Sequence, residues 1–321
     1  MPDNRAMSPI SRRALLGASA SLALSACSTV PLLPASAPVP APAASAAESA
    51  PAPVPPPPPP PPPKPPRIGL ALGGGAARGF AHIGVIQVLE ESGIKVDLVA
   101  GTSAGSLVAA LYAAGRNGSE LAKLAETMDE GAITDWTFPM RGLIRGEALA
   151  RYVREKTNGR LIEQMEIPLG IVATDLASGQ PVCFRRGDTG TAVRASSSVP
   201  TIFEPVQIGG RQYVDGGLVA PVPVRFAREM GAEMLIAVDI SSAPSGQPET
   251  DALHMLLQTV AIMGRSISNY ELRDADVVLR PKLTGVGSAD FTARRRTIQA
   301  GREAAQTMLP QIRRAIEAKT R

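Results

Sequence analysis

Beyond position 67 the apolar residues gather into short runs whose periods alternate between strand and helix. Ile68-Gly69-Leu70-Ala71-Leu72 is an unbroken run of strand length that ends in glycines, and Phe80 to Glu90 then repeats its apolar positions at helical spacing. Val96 to Ala100 is a second strand, and a glycine turn from Gly101 to Gly105 leads into a helix over Leu107 to Ala114. Further strands are predicted at 167–174, 180–184, 234–240 and 277–279. Helices are predicted at 222–230, 253–271 and 294–318, the last kinked at Pro310. This βαβα order predicts an α/β fold with a mainly parallel sheet covered on both faces.

Two stretches carry no clear period. Residues 130–148 hold the only tryptophan, Trp136, with Phe138-Pro139-Met140, and read as a substrate-facing segment. Residues 241–250 read as a polar loop. No internal repeat and no run of 18 apolar residues occurs after position 67, which excludes a spanning helix there.

The first 66 residues change the picture of the chain's organisation. Arg12 and Arg13 precede an uncharged run from Ala14 to Ala26, which is of signal-peptide length and too short to span a bilayer. The run ends in Leu24-Ser25-Ala26-Cys27, which resembles the bacterial lipoprotein box and marks Cys27 for acylation. Ser11-Arg12-Arg13-Ala14-Leu15-Leu16 also resembles a twin-arginine export signal, with Leu in place of the usual Phe. Residues 1–26 are thus expected to be a cleaved leader. Ser28 carries no aspartate-type retention signal, which favours lipid anchoring in an outer membrane, facing the periplasm or the surface.

Eighteen of the 31 prolines fall between residues 31 and 66, so that segment has no means of folding. It is expected to be a stiff polyproline tether reaching on the order of 100 Å. The domains are therefore a leader over 1–26, a lipidated, disordered linker over 27–66 and one catalytic domain over 67–321. The formal net charge is +4, about half of it in the leader, which leaves no nucleic-acid footprint. With Cys27 acylated, Cys183 has no disulfide partner and reads as a buried, inert strand residue.

Against this frame three glycine motifs carry chemistry. Gly101-Thr102-Ser103-Ala104-Gly105 fits G-x-S-x-G between a strand and a helix, the context of a nucleophile elbow: Gly101 and Gly105 permit the tight turn, and Ser103 projects from the sheet's carboxyl edge. Gly73-Gly74-Gly75-Ala76-Ala77-Arg78-Gly79 turns the first strand into the first helix and aims backbone N–H groups at the same edge. Arg78 breaks a dinucleotide fingerprint, and no G-K-[ST] ends the loop as a nucleotide P-loop requires. Asp215-Gly216-Gly217 follows a strand-like Gln212-Tyr213-Val214 and alone would read as a hairpin turn.

Only two histidines exist. His82 precedes Ser103, and His254 sits inside a predicted amphipathic helix, so the serine is expected to have another partner.

The elbow, the G-G-G-x-x-R-G loop and the D-G-G motif, in this order, resemble the patatin-like phospholipases, above all the small bacterial members, through Leu70 to Val85 and Ala173-Thr174-Asp175-Leu176. The resemblance covers most of 67 to about 240. It implies a three-layer α/β/α fold and a Ser-Asp dyad, with Ser103 as nucleophile and Asp215 as its base, and no metal or other cofactor. It places the oxyanion hole in the loop of Gly73, Gly74, Gly75, Arg78 and Gly79, with Gly74 and Gly75 as donors and Arg78 as a brace. Ala104 N–H is a further donor. The implied activity is carboxylic-ester hydrolysis of phospholipids or lysophospholipids at a membrane, with thioester or small-ester hydrolysis, or a non-catalytic envelope lipoprotein, as alternatives.

Ala195 to Pro200 also matches a family segment near the active site, although a helix end and turn explains it as well. Thr201 stands where small members place glycine, which bears on the shape of the acyl pocket.

Overall fold

The strands pair in the order β5-β6-β3-β2-β1-β7-β8, with β4 also on β3. These are β1 (Ile68–Leu72), β2 (Leu98–Thr102), β3 (Leu169–Asp175), β4 (Pro181–Phe184), β5 (Val206–Ile208), β6 (Arg211–Asp215), β7 (Met234–Val238) and β8 (Val277–Leu279). The computed structural model describes residues 63–129, 131, 135, 144–241, 252–287 and 289–321, without the side chains of 252–254 and 257. The leader, Cys27, the proline run through Pro62, Trp136 with Phe138-Pro139-Met140, the loop 242–250 and the His254 side chain lie outside the described residues.

Strands β3, β2, β1, β7 and β8 are parallel, while β4 and β6 join β3 antiparallel and β5 joins β6 antiparallel. The helices are α1 (Phe80–Glu91), α2 (Ala104–Ala113), α3 (Gly118–Thr127), α4 (Glu147–Lys156), α5 (Thr189–Ser196), α6 (Val224–Glu229), α7 (Ala252–Glu271) and α8 (Arg294–Lys319).

Alternation along the strands explains the layers. Leu70, Leu72, Val99, Ile236 and Val238 point into one core with α1, α2 and α8, whereas Ala71, Leu98, Ala100, Leu235 and Ala237 meet α6 on the opposite face. Both faces of the parallel strands are buried, so their sequences read as continuous apolar runs. The result is the expected three-layer α/β/α architecture.

Some expectations shift. Strand β2 runs two residues further than its apolar run, to Thr102, and α2 begins at Ala104, directly after the serine. Helix α8 continues through Pro310. Helices α3, α4 and α5 were not foreseen, because α3 and α4 are amphipathic and charged rather than apolar. The hairpin β5–β6 turns at Gly209-Gly210, with φ of 55° and 80°, a two-residue turn that suits the strand twist. Cys183 lies on β4 but is only half-buried. Burial still pushes its thiol up to about 11, which keeps it protonated and unreactive.

The pairing on β3 positions the site. Ala173 and Thr174 face Val182 and Pro181 of β4 along one edge, so β6, which pairs with the same residues, must occupy the other. That other edge is the one β2 uses up to Thr102↔Val172, and β6 resumes it at Asp215↔Ala173. The ends of β2 and β6 therefore abut, and the residue after Thr102 is Ser103.

Candidate active site

Ser103 occupies φ 52°, ψ −124°, a conformation that costs a non-glycine residue about 1–3 kcal/mol and needs the surroundings to enforce it. They do so from all sides. Ser103 N–H donates to Ser196 Oγ at 2.9 Å, and its carbonyl accepts from Ser106 N–H at 2.8 Å and Ser106 Oγ at 2.6 Å. Thr102 Oγ1 donates to Ala220 O at 2.8 Å. A Cβ on Gly105 would lie 2.1 Å from Leu72 O, and one on Gly101 2.5 Å from Gly105 O, so the two glycines let the turn close on β1 and on itself.

Opposite the serine, Ser103 Oγ donates to Asp215 Oδ2 at 2.7 Å, and Gly217 N–H donates to Oδ1 at 2.6 Å. The Gly216–Gly217 turn thus supplies the second donor that a buried carboxylate needs. A Cβ on Gly216 would strike Val172 O at 2.2 Å. Burial is the larger influence on Asp215. It lifts the carboxyl to about 6, against the lowering effect of the two hydrogen bonds. Asp215 is therefore mainly ionised at neutral pH, yet close enough to that range to take and return a proton.

The glycine loop stands against this pair. A Cβ on Gly74 would approach Ser103 Cβ to 3.1 Å, and one on Gly79 would approach Ala104 Cβ to 2.8 Å. Gly73 N–H donates to Val238 O at 3.1 Å, and Gly74 N–H, expected to be a donor toward substrate, is taken by Pro221 O at 2.9 Å. Among the described residues, Gly75 N–H and Ala104 N–H have no acceptor. Arg78 braces the loop as expected: its Nε donates to Gly75 O at 3.2 Å, and its guanidinium is buried, which depresses its pKa against the raising influence of Asp239.

His82 is fully buried and meets Gly73 O through Nε2 at 2.8 Å. A carbonyl only accepts, so Nε2 carries the proton and Nδ1 is bare. Nδ1 has no partner, and burial lowers the ring to about 4, so His82 is neutral and props the loop.

The sequence marked the segments that hold Ser196 and Thr174 but gave neither hydroxyl a role. Ser196, the last residue of α5, also donates from Oγ to Val172 O at 2.5 Å and so ties the elbow to β3. Thr174 Oγ1 donates to Asp215 O at 2.8 Å, and Asp215 N–H donates to Ser198 O at 2.8 Å. The segment Ala195–Pro200 is thus a helix end that also frames the site. Thr201 sits at φ 71°, a left-handed conformation that glycine adopts without strain and a β-branched residue does not. Among the described residues no group of three or more His, Cys, Asp or Glu could hold a metal ion, and no helix is long and apolar enough to cross a membrane.

Residues 70–228 match the family profile described as patatin-like phospholipase, a span that holds the elbow, the glycine loop and Asp215 together. This stretch of the chain is similar to the patatin-like phospholipases. An uncharacterized NTE family protein of Mycobacterium tuberculosis is 40% identical over 190 residues, which are 58% of this chain and 52% of that protein. Patatin-like phospholipase domain-containing protein 6 of Homo sapiens is 36% identical over 194 residues, 57% of this chain and 14% of that protein. The chain therefore spans about half the length of the mycobacterial relative. Among solved structures, VipD from Legionella pneumophila superposes with a TM-score of 0.51 at 15% identity, covering 79% of this chain and 67% of that one, which supports the patatin fold.

Proposed function

We propose that the chain is a lipid acyl hydrolase that cleaves carboxylic esters of phospholipids or lysophospholipids through an acyl-enzyme on Ser103. The observation that carries this reading is the 2.7 Å hydrogen bond from Ser103 Oγ to a buried carboxylate on a strained elbow. Among the described side chains no imidazole touches either group: His82 faces Gly73 O.

In the first half-reaction Oγ attacks the ester carbonyl carbon as its proton passes to Asp215 Oδ2. The tetrahedral oxyanion is met by the N–H groups of Gly75 and Ala104, and Gly74 N–H joins only by releasing Pro221 O. Collapse expels the alcohol, which takes the proton from Asp215 and leaves the acyl group on Oγ. In the second half, Asp215 accepts a proton from water as its oxygen attacks the acyl carbon, and collapse frees the fatty acid and restores Ser103. A carboxyl near 6 suits both directions of transfer.

The similarity of residues 70–228 to the patatin-like phospholipase profile supports this substrate class. The same reading takes Cys27 as a lipid-anchored N-terminus and residues 31–66 as the spacer that holds the enzyme at an outer membrane. Purified chain assayed against a panel of phospholipids, lysophospholipids, thioesters and small esters tests the activity. Release of fatty acid from the first two, lost in Ser103→Ala, supports the reading, and turnover of thioesters alone would refute the substrate class. Incorporation of labelled palmitate that survives Cys27→Ala would refute the anchor.

A further inference from the structure

Helix α7 lies against the catalytic turn with one side and presents the other to solvent. Its Gly264 faces Gly217 O and Pro221 Cγ, where a Cβ would stand 3.7 and 3.5 Å away, and Gly217 is the residue whose N–H holds Asp215. Ser268 and Glu271 also turn inward. At 100° per residue, Met255, Leu256, Ile262, Met263 and Tyr270 gather on the opposite side. Of the six large hydrophobic residues exposed among the described residues, these are five, and Tyr270 is 70% exposed.

Charge on this helix is one-sided. Between residues 252 and 271 the only carboxylate is Glu271, which is buried beside Arg225. The exposed cation Arg265 flanks the apolar stripe, and at its end the Arg273 guanidinium lies 5.7 Å from the Tyr270 ring. A stripe of Met, Leu and Ile with a tyrosine and arginines at its margin matches the layering of a bilayer surface, with apolar side chains among acyl chains and Tyr and Arg at headgroup depth. A second copy fits less well, since among the described residues the face between Met255 and Tyr270 offers no carboxylate to pair with the other copy's arginines.

We propose that the exposed face of α7 is the surface by which the domain docks on a lipid bilayer bearing anionic headgroups. The inference rests on the reading of Ser103 as a lipid hydrolase nucleophile and gives that site its route to substrate. Only the thickness of one helix, about 10 Å, separates the docked face from the turn that holds Asp215.

The test uses the full chain with Cys27→Ser, so that no acyl anchor contributes, and Ser103→Ala, so that the lipid stays intact and docking is decided whether or not the hydrolase reading stands. Flotation with phosphatidylcholine vesicles containing about a quarter phosphatidylglycerol should recover the protein in the lipid fraction. Adding Ile262→Glu with Met263→Glu should weaken association at least about tenfold, and Ile262→Ser with Met263→Ser should do so to a lesser degree, with melting temperature unchanged in both. In the chain with Ser103 restored, the same pair should lower vesicle phospholipid hydrolysis about tenfold and leave a water-soluble short-chain ester unaffected. Vesicle binding indifferent to both pairs would overturn the proposal. So would a parent dimer, seen by sedimentation, that the glutamate pair dissociates, because the face would then belong to a second copy.

Discussion

Ser103 Oγ donates to Asp215 Oδ2 at 2.7 Å although 112 positions separate the two residues along the chain. The meeting is a product of strand pairing: β2 leaves the edge of β3 at Val172 and β6 takes it up at Ala173, so the ends of two strands deliver serine and carboxylate side by side. The carboxylate is held by the backbone frame and by Gly217 N–H, and it meets Ser103 Oγ directly.

Burying that carboxylate costs stability, and the sign fixes the pH window. Asp215 titrates at about 6 in the folded chain, above the 3.8 of an unperturbed aspartate, so the folded state binds more protons between those values. The penalty is absent below pH 4 and complete above pH 6. Asp215→Asn should therefore stabilise the fold by about 1–3 kcal/mol at pH 8 and by little at pH 4, while lowering kcat at least about a hundredfold. Urea unfolding at the two pH values, beside ester turnover, checks both halves.

His82 carries the opposite sign. Its ring falls to about 4 in the fold from the ordinary 6.5, so the unfolded chain binds more protons between those values and stability drains away as pH falls through them. His82→Gln keeps a donor for Gly73 O and removes the titration. The variant should gain up to about 3 kcal/mol on the wild type as pH falls from 7 to 4, measured by denaturant midpoints.

Ser196 Oγ accepts from Ser103 N–H, so on the proposed mechanism it acts through the elbow. Ser196→Ala leaves that N–H and Val172 O without their partner, at a cost of about 1–3 kcal/mol. Because the elbow, and not the acyl pocket, is loosened, kcat should fall with KM nearly unchanged, and Ser196→Thr should restore part of it. An unchanged kcat would show that the elbow holds its φ without this support.

Thr201 holds a β-branched side chain at φ 71°, where only glycine is at ease. Thr201→Gly should raise stability by about 1 kcal/mol, or the melting temperature by about 2–4 °C, as calorimetry would show.

The parallel core was legible because its strands are short apolar runs between glycines, as in Ile68 to Leu72. The elbow was legible because a strand, G-x-S-x-G and a helix follow one another in sequence. The roles of Ser196 and Thr174 were not, even though their segments stood out, since hydroxyls that prop a neighbour's backbone leave no periodic or spacing signal. Gly74 misled for a related reason: a glycine loop advertises free N–H groups, but whether a carbonyl such as Pro221 O already takes one depends on tertiary contact. The hairpin β5–β6 escaped because its first strand is three residues long.

The central claim, that Ser103 is the nucleophile and Asp215 its base, is tested most directly by following a fluorophosphonate on the protein by mass spectrometry across pH. The adduct should lie on the peptide containing Ser103, be absent in Ser103→Ala, and form at a rate that rises through about pH 6 as Asp215 ionises. An adduct on another residue, or a Ser103 labelling rate that is flat from about pH 5 to 8, would contradict it.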